Sequence, residues 1–434
     1  MPTTNAEVVL WGKRIGAVTW LEDHEVAVFQ YTPDFVRSGI EISPLMMPLR
    51  GSPYEFPSLS KDTFKGLPGL LVDSLPDRFG NAIIDEWLAS QGRASESFNP
   101  VERLCYTGKR GMGALEYEPS DVGPAARSRP LEVDKLVDLA ARILGERANL
   151  GGAFSGEDDQ ECVKDILKVG TSAGGARAKA IIAWNPKTHE IRSGQVDLEK
   201  GFEHWIMKFD GVMNNGDRGL SDPLGYGKIE YTYYLMALAS GIKMSDCVLH
   251  REGGRSHFMT RRFDRTPDGG KIHMLSLGAI AHLDFNQFAS NSYEQAILTM
   301  KRLQMYREDL IQQVLRTIFN VVGRNHDDHV KNIAFLMDRS GKWRLSPAFD
   351  MTYAWNPSGS WTNRHQMSVN GKREEIDRDD LIKFGKLAGL KKKKCNDLIN
   401  MVIDAFDQWP ELAEKNELSE DRIDEIGRNL LTDI

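Results

Sequence analysis

The chain has little cysteine, four residues in 434 (Cys105, Cys162, Cys247 and Cys395). No two of them stand close enough to suggest a zinc site or a disulfide framework. That excludes a metal-stapled or oxidised scaffold, and buried thiols in a reducing compartment are expected. Long apolar runs are also missing: no stretch approaches the ~18 residues that cross a bilayer, so no membrane partner is expected. The N-terminus carries Glu7, Lys13 and Arg14 and lacks an apolar segment, so no signal peptide is read there. Positive charge is in deficit, with Lys plus Arg 55 against Asp plus Glu 62 and a formal net charge of -7. Such a balance argues against a protein whose main task is to grip nucleic acid by itself. Internal repeats and low-complexity tracts are absent. Together these absences predict a cytoplasmic globular protein.

What is present is an ordinary globular composition, 41 % hydrophobic and 27 % charged, in a chain long enough for two or three domains. The β-rich runs 8–11, 15–21 and 25–31 predict a small antiparallel sheet. Helix-compatible sequence follows near 81–91, with Ile83, Ile84, Trp87 and Leu88 as its apolar residues. Residues 119–130 are dense in Pro, Gly and small residues and read as a linker. Beyond it, 131–150 predicts a helix, and 165–184 a strand, a glycine-rich turn and a strand. Residues 204–209 and 258–264 read as strands, 231–240 as a helix opened by Glu230, and the chain from 292 onward as mainly helical. The expected division is 1–125, 126–265 and 266–434, in the α+β class.

Chemistry concentrates in two places. Asp327 and Asn332 stand five residues apart in Asn325-His326-Asp327-Asp328-His329-Val330-Lys331-Asn332, and Phe349-Asp350 follows eighteen residues after the Asn. Phosphoryl transfer requires a carboxylate for the acceptor hydroxyl and oxygen ligands for magnesium, and protein kinases use the same Asp-to-Asn interval. Two histidines flanking two acids leave another metal site, or a solvated turn, as alternatives. The second place is Gly170-Thr171-Ser172-Ala173-Gly174-Gly175-Ala176, with Lys179 beyond it. Small residues there allow backbone amides to approach an anion, although a plain hairpin turn fits the same residues. Lys208, on a strand-like run, is either a phosphate partner or an edge-strand lysine, with Glu230 as the acid that could orient it. Lys386 and the run Lys391 to Lys394 form a dense basic patch, read first as a solvated helix end.

The order of these motifs resembles the HipA family, the serine/threonine kinase toxins of bacterial type II toxin–antitoxin modules. The resemblance is carried by Ser172 to Lys179, His204 to Lys208, Arg261 to Arg265, Asp327 to Asn332, Phe349-Asp350 and, nearer the start, Gly66 to Gly80. It implies a two-lobed protein-kinase-like fold, a mixed N-lobe and a helical C-lobe, with an additional N-terminal α+β subdomain. It also implies ATP and Mg2+ as cofactors, with Asp327 as catalytic base and Asn332 and Asp350 as magnesium ligands. Lys208, His329, Val330, Lys331 and Phe349 would line the phosphate site. Gly174, Gly175, Ala176, Arg177, Ala178 and Lys179 would form the loop over the phosphates, and Arg261, Arg262 and Phe263 the hinge against adenine. Ser172 matches a self-phosphorylated serine, with Thr171 beside it. The family's partners would be a HipB-like helix-turn-helix antitoxin, operator DNA through that complex (Lys386 being a candidate contact), and a protein substrate, for which the family precedent is glutamate–tRNA ligase. Two other classes fit the same residues: a degenerate kinase acting as corepressor, and a small-molecule phosphotransferase.

Overall fold

The structure, a computed structural model, describes residues 3–90, 92–120, 131, 133–145, 177–194, 200–212, 224–287 and 289–434. Its first sheet is antiparallel, in the order β3-β2-β1-β4. Strands β1 (Asn5–Leu10), β2 (Lys13–Leu21) and β3 (Val26–Tyr31) lie where the β-rich runs predict them. The fourth, β4 (Leu115–Glu118), returns from far along the chain to pair with β1, with Leu10 opposite Leu115. Its four residues are too short a run to announce a strand.

Between β3 and β4 come α1 (Pro33–Ser38), α2 (Lys61–Phe64), α3 (Gly69–Val72), α4 (Arg78–Ser90) and α5 (Pro100–Thr107). Helix α5 begins for a local reason: the Asn99 side chain accepts from Glu102 N, and Pro100 occupies the first helical turn. The next helix, α6 (Val133–Gly145), lies within the predicted 131–150.

A second antiparallel sheet follows in the order β6-β5-β7-β9-β8. It contains β5 (Lys179–Trp184), β6 (Ile191–Ser193), β7 (Glu203–Lys208), β8 (Cys247–Glu252) and β9 (Arg255–Arg261). Helix α7 (Tyr226–Ala239) enters from Gly225, at φ 94°, and packs on this sheet. It starts a turn earlier than its sequence suggests, so Glu230 lies inside the helix rather than at its head. Gly225 and Gly227 look like helix breakers, yet Gly227 serves contact: a Cβ there would lie 2.0 Å from the Ser256 carbonyl oxygen.

The remainder is mainly helical, as expected, around a small sheet the sequence reading missed: β10 (His273–Ser276), β11 (Ala334–Met337) and β12 (Trp343–Leu345). Its helices are α8 (Leu277–Ala281), α9 (Tyr293–Arg302), α10 (Arg307–Val322), α11 (Arg378–Leu387), α12 (Lys392–Phe406), α13 (Trp409–Lys415) and α14 (Glu420–Asn429). Full capping boxes, Ser292 with Gln295 and Asp377 with Asp380, start α9 and α11. The Lys391 to Lys394 run opens α12 and is exposed. Of the cysteines, Cys105, Cys247 and Cys395 are buried free thiols, and Cys162 lies outside the described residues.

Two hydrophobic clusters organise the packing. One runs from the first sheet (Val8, Phe29) and α5 (Leu104) into the helical region (Phe319, Phe335, Val402). The other joins α4 (Phe79, Ile83, Leu88) to α6 and the five-stranded sheet (Ile182, Met207, Met259). The N-terminal residues thus pack against both later regions. Because its obstruction is backbone, Gly227→Ala should push α7 off β9 and cost ~1–3 kcal/mol, measurable as a lower midpoint in urea unfolding.

Candidate active site

A lysine ammonium brought out of water needs opposite charge and hydrogen bonds around it. Lys208, the last residue of β7 and only 13 % exposed, has two carboxylates. Its Nζ donates to Glu230 Oε1 of α7 at 2.5 Å and to Asp350 Oδ1. Burial would lower the ammonium pKa, but Asp350 and Glu230 raise it above the ordinary lysine value. Burial would likewise raise Asp350, while Lys208 and then Lys179 hold it below the usual carboxylate range. Glu230 is shared further: Arg177 Nη1 stands 3.7 Å from its Oε2, with the guanidinium over the Tyr226 ring.

Asp350 sits in the left-handed region at φ 53°, unusual for a residue with a side chain. Asn325 holds it there, its Nδ2 donating to the Asp350 carbonyl oxygen at 3.0 Å. The same asparagine donates to Asn320 Oδ1 of α10, and its neighbours 324 and 326 exchange backbone hydrogen bonds with Ala354. The segments carrying Asp327 and Asp350 are therefore tied to each other.

Asn332 Nδ2 donates to the Asp327 carbonyl oxygen at 2.8 Å, closing the loop on itself. The Asp327 side chain is 36 % exposed. Its Oδ1 accepts from Trp361 Nε1 at 2.7 Å and lies 3.8 Å from His329 Nε2. Burial raises its carboxyl above the usual range, with His329 and Trp361 pulling the other way. The Lys331 ammonium lies over the Phe285 ring, 5.1 Å from its centroid.

Asp328, read as an ordinary loop residue, is instead the loop's anchor. It is buried and accepts from Tyr293 OH at 2.8 Å and Gln366 N at 2.7 Å, with His365 Nδ1 at 2.8 Å. Burial alone would raise its carboxyl, but His365 and these donors hold it below the ordinary range.

Other expected contacts turn inward. Val330 and Ala178 are fully buried, so their side chains pack rather than face a ligand. Lys179 points its ammonium at Asp77 of the first hundred residues, 3.3 Å away and also buried. In the expected hinge, Arg261 N donates to Asp246 O and Arg262 N to His204 O, so neither N–H is available to a base. The Arg261 side chain is exposed and lies 3.2 Å from Asp246. Arg262 is buried against Asp264 and Gly111 O, while Phe263 stacks near Phe349, with centroids 5.6 Å apart. Lys386 is exposed at the end of α11. Gly174, Gly175, Ala176, Ser172 and Thr171 lie outside the described residues. Among the described residues no group of three or more His, Cys, Asp or Glu side chains is placed to share a metal ion.

Sequence reasoning missed Asp73, Asp77, Asn325 and Trp361. Asp77 had a signal, since Pro76-Asp77 before an apolar helix reads as a cap, and Gly80 N does donate to it at 2.7 Å. Trp361 had none, standing in an irregular segment with no periodicity.

The comparisons with known proteins bear on family and fold. The model of the HipA-like C-terminal domain matches residues 171–409, and that of the HipA N-terminal domain matches residues 6–118. The chain therefore belongs to the HipA family. No curated protein matches it. Among solved structures it is similar to a chain from the Shewanella oneidensis MR-1 toxin–antitoxin system HipA, HipB and operator DNA complex. That similarity is 16 % identity over 98 % of this chain and 96 % of that one, at a TM-score of 0.66. The two share a mixed α/β fold. A Helicobacter pylori proinflammatory kinase, CtkA, matches at 11 % identity over 52 % of this chain and 88 % of that one; its TM-score of 0.34 carries no argument.

Asp264 beside the expected hinge offers a test of electrostatics. Burial would raise its carboxyl, but Arg262 and Arg265 hold it well below the ordinary range. A depressed carboxylate contributes stability above its unfolded pKa, near ~3.9, and loses it as pH falls through the folded value. Asp264→Asn should therefore cost ~3–5 kcal/mol at neutral pH by leaving buried arginines unpaired. In chemical denaturation that gap from wild type should narrow as the pH falls below ~3.9.

Proposed function

We propose that this protein is an ATP- and magnesium-dependent serine/threonine protein kinase, the toxin of a toxin–antitoxin pair. The observation that carries the reading is the convergence of Lys208, Glu230, Asp350, Asp327 and Asn332 from four separated stretches of chain onto one cleft. In this reading the five-stranded sheet and the helical region form the two lobes of a kinase-like body. The boundaries 1–125, 126–265 and 266–434 divide subdomain, N-lobe and C-lobe.

Asp350 and the free oxygen of the Asn332 amide are hard donors that suit magnesium, which prefers a few protein oxygens and keeps its remaining sites for water and phosphate. With its magnesium, bound ATP supplies the phosphoryl group. Lys208, kept cationic by its two acids, then offers its charge to the phosphates, joined by Lys331. His329 stands between the Asp327 carboxylate and that phosphate region. Asp327 would take the proton of the acceptor hydroxyl at its carboxylate as that oxygen bonds to the γ-phosphorus, the bond from that phosphorus to the bridging oxygen breaks, and ADP leaves. The raised Asp327 pKa makes it a stronger base than a free carboxylate. Adenine would lie near Phe263 and Phe349, with contacts limited by the engaged Arg261 and Arg262 N–H groups.

The finer parts of the reading follow from family membership. A HipB-like helix-turn-helix antitoxin would neutralise the kinase in the cytoplasm. Lys386 would reach operator phosphates through that complex, Ser172 would be self-phosphorylated, and the acceptor protein would be a translation component such as an aminoacyl-tRNA ligase.

Radiolabelled ATP incubated with the protein and cell lysate should label protein bands. Asp327→Asn should reduce transfer on the order of 10²–10⁴-fold, and wild-type rates should rise with pH along a limb lying above the ordinary carboxylate range. A wild type that labels neither itself nor any lysate protein contradicts the proposal.

A further inference from the structure

We infer that Trp361 is a positioning residue that fixes the reactive rotamer of Asp327. The inference rests on the reading of Asp327 as the base. Three observations carry it. Trp361 is 4 % exposed, so its indole is not a mobile surface group. Its Nε1 donates at 2.7 Å to Oδ1 of the partly exposed Asp327, the same oxygen that His329 approaches. Among the described residues these contacts all fall on Oδ1, which leaves Oδ2 to face an incoming hydroxyl.

The indole is itself held from behind. Gln366 donates to the Trp361 carbonyl oxygen, and Gln366 N donates to Asp328 in the loop that carries Asp327. Thr362, the next residue, offers its carbonyl oxygen to His326 Nδ1 at 3.1 Å. The segment 361–366 is thereby stitched to 326–328 on both sides of the base, and the ring has one position to occupy. In the same segment, Pro357, Ser358, Ser360 and Arg364 are exposed.

With that donor removed, the Asp327 carboxylate loses the contact that fixes Oδ1 and gains rotameric freedom. That loss acts on the chemical step and not on nucleotide binding.

The test measures kcat and KM for ATP of the full chain with Trp361→Phe and with 3-benzothienylalanine placed at position 361. The latter keeps the bicyclic ring volume and removes only the donor. The expected result is a kcat lower on the order of tenfold and an unchanged KM for ATP. If Trp361→Phe does not fold, the sulfur isostere decides alone. A kcat that the isostere leaves unchanged, or a KM for ATP that changes with it, overturns the inference. The underlying reading fails separately: Asp327→Asn retaining full transfer removes Asp327 as the base, whatever Trp361 does.

Discussion

The shared charge of Lys208 is the interaction on which the rest of the site depends. An ammonium 13 % exposed at the end of a central strand cannot stand alone in a medium of low dielectric. It is neutralised by Glu230 from a helix and Asp350 from a loop, which joins the five-stranded sheet, α7 and the helical region at one point. Asp350 reaches that point through a left-handed backbone, and Asn325 ties that backbone to the loop of Asp327. The distance between base and lysine is thus set by a chain of hydrogen bonds, with Asn320 of α10 as its rigid end.

A second set of buried polar contacts gives the N-terminal residues a part in this geometry. Asp73 accepts from Ser276 N and Oγ at the start of α8, and Asp77 faces Lys179 at the start of β5. Gly113 N donates to Asp264, whose arginine partners also reach the Gly111 and Gly113 carbonyl oxygens. Burial raises the carboxyls of Asp73 and Asp77, so neither is kept there without its partners. Those three links tie the N-terminal residues to the five-stranded sheet, to the segment after β9 and to the start of α8.

Much of the architecture was legible where a local rule decides it. Alternating apolar runs marked β1 to β3, and the stretch 325–332 and Asp350, singled out together, lie hydrogen-bonded to each other through Asn325. What escaped were features set by distant partners. Strand β4 is four residues that become a strand only because β1 offers an edge, and β10 to β12 are equally short. The helix opened by Glu230 in the sequence starts earlier, at Tyr226, where Gly227 lies against the Ser256 backbone of β9, a contact the sequence does not reveal. Asp328 and Trp361 drew no attention because their roles depend on His365, Tyr293 and Asp327, brought to them by folding. Arg262 illustrates the opposite error: its place in a motif suggested a ligand contact, whereas its guanidinium is committed to Asp264.

The central claim is that the carboxylates around Lys208 form a magnesium–nucleotide site. Calorimetric titration with a non-hydrolysable ATP analogue tests it directly, with and without magnesium, for wild type and Asp350→Asn. The account predicts one analogue per chain, bound tightly only with magnesium, and loss of the magnesium effect in the variant. Binding that ignores both magnesium and Asp350, or no binding by the wild type, would contradict it.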